Sequence, residues 1–241
     1  MQKKHIMKKI ISIIAVSLTF LTFFFHGNLN AQNHNKTDNS GRRQGKWIGY
    51  HDNGQISYKG QFKNNEAVGE FLYYSEDGVL IAKNKHHKNS NITDSEMYSP
   101  SGEVIAKGSF VNKKKQGQWD YFSAEDGSLI LTENYNNGLL SGKSIVYLAG
   151  TQTVVEEIEY VNGIKHGLYS KFYDNGVPMI EAAYHQDHLN GSYIHYYSNG
   201  IVKEEGLFKN GAKVGEWKTY DTEGYIISTD SYEVFDIDAD F

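Results

Sequence analysis

From Gly45 onward the hydrophobic positions recur on two periods at once, two residues locally and 24 to 25 residues over the longer range. Segments start at Gly45, Gly69, Thr93, Gly117, Gly142, Gly167, Gly191 and Gly215. Five residues after each start stands an aromatic: Tyr50, Tyr74, Tyr98, Phe122, Tyr147, Phe172, Tyr196 and Tyr220. A second aromatic column follows at Phe62, Phe110, Tyr135, Tyr160, Tyr184, Phe208 and Tyr232, with His86 in the second repeat. On the same parity runs an aliphatic column, Ile56, Leu80, Val104, Leu129, Val154, Pro178, Val202 and Ile226. The opposite parity is mostly polar or charged, and such alternation is the pattern of a half-buried strand.

Each repeat carries two turn signals. One is of the type Asn53-Gly54, Asp77-Gly78 or Asn199-Gly200, the other of the type Asn137-Gly138, Asn162-Gly163 or Asn210-Gly211. These dipeptides accept the positive φ that tight hairpin turns require. Two turns predict two strands per repeat, so about sixteen antiparallel strands of about six residues joined up and down. The first strand is less regular. Trp47, Trp119 and Trp217 stand three residues before Tyr50, Phe122 and Tyr220, which places each pair on opposite faces unless a bulge intervenes.

The repeating residues resemble the MORN repeat in its bacterial variant form. Gly206-Leu207-Phe208-Lys209-Asn210-Gly211 followed by Gly215-Glu216-Trp217-Lys218-Thr219-Tyr220 matches its pattern, as does Gly60-Gln61-Phe62 through Gly69-Glu70-Phe71 and Tyr74, with Asn65 in place of the turn glycine. The resemblance covers about residues 42–233. It implies an all-β fold: an elongated single-layer antiparallel sheet of about eight hairpin repeats, non-enzymatic, serving binding or scaffolding. Some bacterial relatives are labelled antitoxin components of the YwqK type.

Residues 1–31 read differently. Lys3, Lys4, Lys8 and Lys9 precede an uncharged run from Ile10 to Phe25, and Ala31 offers a small-residue cleavage site. This is the build of a signal peptide, which predicts a helix ahead of the repeats and an exported protein, periplasmic, in the outer envelope or secreted. An uncleaved N-terminal anchor is the rival reading. Residues 32–44 are polar and read as a flexible leader, 45–232 as the repeats, and 233–241 as an acidic C-terminal strand or tail.

Composition narrows the chemistry. The 241 residues contain no Cys, so disulfides, thiol catalysis and Cys-ligated zinc are excluded. No nucleophile elbow, phosphate-binding loop or His-Glu-x-x-His motif occurs, so neither an enzyme nor a cofactor is expected. His185 and His188 read as a solvated turn, and no metal is expected. Charge is polarised. Residues 45–116 hold ten bases and eight acids, whereas 117–241 hold seven bases and twenty acids. So acidic a chain should repel nucleic acid.

Two sets of residues form candidate sites. A charge column on the polar parity of the second strand runs Lys59, Lys83, Lys107, then Glu157, Glu181, Glu205. Such a column is either a wet face or a bipolar docking surface that pairs two copies head to tail. Where the repeat pattern breaks, Lys83, Lys85, His86, His87 and Lys88, with Lys113, Lys114 and Lys115 one repeat later, form a candidate basic patch for an acidic partner such as a glycan, a lipid headgroup or a protein face. The expected function is a binding or scaffold module for another macromolecule, most simply another protein. An antitoxin or immunity-type protein and a cell-wall or glycan binder are the alternatives.

Overall fold

A computed structural model describes residues 34–233. The signal-peptide helix expected over 1–31 and the strand or tail expected beyond Glu233 lie outside the described residues. The described chain is all β, in seventeen strands: β1 Lys36–Thr37, β2 Arg43–Tyr50, β3 Ile56–Lys63, β4 Glu66–Tyr74, β5 Leu80–His86, β6 Ile92–Tyr98, β7 Val104–Val111, β8 Lys114–Phe122, β9 Leu129–Asn136, β10 Leu139–Tyr147, β11 Val154–Val161, β12 Ile164–Phe172, β13 Pro178–His185, β14 His188–Tyr196, β15 Val202–Lys209, β16 Ala212–Tyr220 and β17 Ile226–Tyr232. Each strand from β2 to β16 pairs antiparallel with its neighbours in sequence, giving one open sheet. Eight hairpins were expected from the turn signals, and β2 to β17 supply them. The seventeenth strand, β1, belongs to the segment 32–44 expected as a flexible leader, part of which is held against β2.

The two kinds of turn differ in structure. The short ones join second strand to first through two residues of positive φ, Asn137 (52°) and Gly138 (87°) among them. Asn64-Asn65, Asn112-Lys113 and Gln186-Asp187 adopt the same shape without glycine. The longer loops close on themselves: Gly54 donates to the His51 carbonyl and His51 to that of Gln55. They are also stitched to one another. The side chains of Asn53, Asn175 and Asn199 donate to the carbonyls of Glu76, Ser198 and Thr222, one repeat on. Repeats of this kind gain most of their stability from their neighbours.

The tryptophan and the aromatic three residues later stay on opposite faces, because the bulge beside them puts its extra residue, Ser57 in the first repeat, on the partner strand, and a second bulge explains the start glycines. At β3–β4 the register steps from Gln61↔Val68 to Lys59↔Leu72, so β4 carries two extra residues around Gly69. Gly69 makes this possible at φ 70°, a conformation costly for other residues. The bulge lays the following aromatic across the neighbouring strand. Phe71 covers Gly60, Trp119 covers Gly108 and Trp217 covers Gly206, so a Cβ at any of these glycines would stand within 2.5 Å of ring carbon. Where Thr93 replaces the start glycine, β5 pairs with β6 without interruption, and Ser95 stands opposite Asn84. No glycine means no bulge, and the ring that depends on the bulge is missing too.

These rings form the core on one face of the sheet. Trp119, Trp217 and Phe71 are buried. Each meets the second aromatic column edge to face, Phe110–Trp119 at 4.9 Å, Phe208–Trp217 at 5.0 Å and Phe62–Phe71 at 5.2 Å. Such contacts contribute about 1 kcal/mol each beyond area burial.

Candidate binding face

The other face carries the charge column, and the first aromatic column runs beside it. Each charged residue has an aromatic fifteen positions later, and all but Glu157 interact with it. Lys59 Nζ lies 5.4 Å from the Tyr74 ring and Lys107 Nζ 5.0 Å from that of Phe122. Tyr196 donates its phenol to Glu181 and Tyr220 to Glu205, both at 2.6 Å. Burial and the Glu181 charge push the Tyr196 phenol up to about 12. Glu157 has Phe172 in that place, which has no proton to give, and pairs with Lys143 at 3.0 Å instead.

Like charges of the column do not touch. They stand on alternate strands, about 10 Å apart, and the strand between them decides how each half is compensated. In the basic half Glu96 lies between Lys83 and Lys107, and Asp120 follows Lys107. Lys83 bonds Glu96 at 2.6 Å, and Tyr98 donates to the same carboxylate. These hydrogen bonds hold Glu96 below the usual carboxylate range, Lys83 being the larger cause. In the acidic half the interleaved residues are Ile145, Ser170 and Ile194, with Lys218 only at the end. Leu168 and Leu207 stand exposed on the same parity.

The structure separates the residues of the candidate basic patch. Lys83 and Lys85 line an open groove of about 550 Å³, together with Glu70, Asp94, Glu96 and Lys107. His87 bonds Asp94 at 2.7 Å, and this bond, with one from Ser109, lowers the Asp94 pKa. Lys88 is exposed on the turn after β5, and Lys113 and Lys114 at the β7–β8 turn. His86 and Lys115 lie on the ring face. His86 packs edge-on against Phe71 at 5.1 Å and bonds Thr93 through Nδ1. Its Nε2 is buried without a partner, and burial lowers its pKa.

Lys115 is held inside three rings. Its Nζ lies 4.4 Å from the Trp119 centroid, 4.7 Å from Tyr135 and 5.1 Å from Tyr121. It donates to Tyr121 Oη at 2.6 Å, and Tyr135 donates to buried Glu133 at 2.6 Å. Burial lowers the Lys115 pKa to about 8, opposed by the Glu133 charge. Glu133 occupies the position held by Gly108 and Gly206 in other repeats, opposite Ser144, where no ring competes for the space. That substitution pair was the available signal for this cluster.

His188 Nδ1 meets its own turn at the Gln186 carbonyl, and the His185 ring packs on His166 at 4.9 Å. Among the described residues no three His, Asp or Glu gather to hold a metal.

Comparison with known families bears on this geometry directly. Residues 43–64, 165–186 and 189–210 match the MORN repeat variant. At these three places the chain carries the MORN repeat variant. Each matched segment spans a first strand, its longer loop and the second strand, β2–β3, β12–β13 and β14–β15, so the family pattern and the observed hairpins coincide. The narrower YwqK-type resemblance is not carried by these matches. No curated protein matches the chain. Among solved structures, two TarM chains are similar. One is a point mutant from S. aureus crystallised with fondaparinux, alpha-GlcNAc-glycerol and UDP, at 18% identity and TM-score 0.32, covering 41% of this chain and 19% of that one. The other is TarM at 19% identity and TM-score 0.32, covering 42% and 19%. This chain thus spans about a fifth of TarM's length.

Proposed function

We propose that this MORN-repeat chain is a non-enzymatic binding module that docks a basic surface of another protein along the acidic half of its charged face. The observation that carries this reading is the different interleaving of the two halves. Glu96 and Asp120 stand beside Lys83 and Lys107, with Lys59 alone between Ile48 and Leu72, whereas Glu157, Glu181 and Glu205 are separated by Ser170 and Ile194 and preceded by Ile145. A row of carboxylates beside exposed Leu168 and Leu207 offers both charge and apolar contact, and oppositely charged surfaces speed and orient association.

The test is photocrosslinking from residue 168 or 207, with residue 139 at an exposed turn as control. Adducts formed from the face positions, absent from the control and lost when Glu157, Glu181 and Glu205 all become Gln, support the proposal. Adducts that survive the triple substitution, or that form equally from the turn, overturn it.

A further inference from the structure

We infer that the two ends of the sheet are complementary, so that a second copy of the chain adds head to tail once the guarded outer edge of β2 is released, β2 of one molecule pairing with β17 of the next. This inference is independent of the charged-face reading.

It starts from an orphaned donor. Trp119 Nε1 donates to the Ser109 carbonyl on the preceding strand, and Trp217 Nε1 donates to the Leu207 carbonyl in the same way, both at 3.1 Å. Trp47 occupies the equivalent position in β2, and its Nε1 is buried without a hydrogen-bond partner. Among the described residues only the two-residue β1 precedes β2, its Lys36 and Thr37 pairing with Gln44 and Arg43 as Leu207 and Phe208 pair with Val214 and Lys213, and it supplies no acceptor to Trp47 Nε1. A buried N–H left without an acceptor costs about 1–3 kcal/mol.

The missing strand type is present at the other end. By the 24-residue spacing β17 is the equivalent of β15, and nothing pairs beyond it among the described residues. All seven of its residues are exposed, Ile226 at 57% and Ile227 at 63%. The same spacing makes Ser231 the equivalent of Leu207. The Ser231 carbonyl of one copy is therefore the acceptor for Trp47 of the next. Thr229 then stands opposite Ile48, as Glu205 stands opposite Lys218.

Charge favours the junction. Residues 34–50 carry Lys36, Arg42, Arg43 and Lys46 against Asp38, while residues 216–233 carry five acids against Lys218. A contact between unlike ends repeats from copy to copy, so the product is a filament, or a ring where the rotation closes.

Besides β1, which holds Gln44 and Arg43 on the same edge and must give way to Ser231 and Tyr232, two features hold the junction back. Asn35 plugs the outer edge of β2. Its backbone N–H donates to the Lys46 carbonyl, and its side-chain amide both donates to the Ile48 carbonyl at 2.9 Å and accepts from Ile48 N–H at 2.8 Å. A side chain that takes a strand's place in this way blunts an edge. The second obstacle is Asp230, which stands where Gly108 and Gly206 leave room for the crossing ring.

Sedimentation velocity on His34–Phe241, which forms one compact unit, tests the inference. Asn35→Ala combined with Asp230→Gly should convert monomers into oligomers that grow with concentration and shrink with salt. Adding Trp47→Phe should weaken this association about tenfold. Thr229→Pro, which removes an outward N–H from an edge strand, should abolish it with the circular dichroism spectrum retained. Ile48→Cys with Thr229→Cys, in a chain with no other cysteine, should give a ladder of disulfide-linked multimers on oxidation. A double variant that stays folded and monomeric at every concentration overturns the inference, as does association that survives Thr229→Pro or a cysteine pair that does not cross-link.

Discussion

The indole of Trp217 lies across Gly206 on the neighbouring strand, its Cδ2 2.3 Å from the place a Cβ on residue 206 would occupy. The glycine is there because of the ring. Gly206→Ala must expel the indole from a site in which Trp217 is 2% exposed and hydrogen-bonded through Nε1. The expected loss is about 3 kcal/mol, close to that of removing the ring. Urea denaturation measures it. A loss below about 1 kcal/mol would show that the two strands part easily.

Lys115 should behave as half of a buried pair. Lys115→Met removes the ammonium and leaves Glu133 among Tyr121 and Tyr135 without its counter-charge. Breaking such a pair costs about 3–5 kcal/mol, whereas removing both charges costs much less. Lys115→Met with Glu133→Gln is therefore expected to recover most of the loss, read as coupling in a double-mutant cycle.

The same lysine gives the fold a pH dependence. Its folded pKa of about 8 lies below the unfolded value of 10.5. Between these values the unfolded chain binds more protons than the folded one, so stability rises with pH over that window and the penalty is full below it. The gain is at most about 3 kcal/mol, and the three rings around the cation reduce it. Above pH 10 the buried tyrosines oppose it, because their raised pKa values make ionisation easier in the unfolded chain. Melting temperatures across pH 7.5 to 10 should climb in the parent and stay flatter in Lys115→Met.

Lys113 holds φ at 64° at a turn position where Gly138, Gly163 and Gly211 stand in other repeats. Lys113→Gly relieves that conformation and should raise stability by about 1 kcal/mol. Differential scanning calorimetry would register a higher melting temperature. No change would mean that the neighbouring Asn112 already absorbs the strain.

The hairpins and the core columns were legible because Asn-Gly turns and period-two alternation are local properties of the chain. The crossing rings were not. Trp47 and Tyr50 at odd spacing left two arrangements open, and only the three-dimensional register shows the bulges. The charge column was legible in its members but not in its compensation. Lys83 finds its counter-ion, Glu96, thirteen residues away, and Glu181 finds its phenol on Tyr196, fifteen away. His86 could have been removed from the basic patch by its place in the aromatic column. Lys115 could not, because a bulge lies between it and any residue whose face was known. Asn35 gave no warning, since an edge plug looks like any other polar residue of a leader.

The uninterrupted pairing of β5 with β6 has a mechanical consequence. Here Ser95 and Asn84 meet where other repeats have a ring locked across a glycine, and this junction is the most sparsely packed of those between full-length strands. Pulled from its two ends in a laser trap, the ladder should rip there first, leaving β6 to β17 standing as one block.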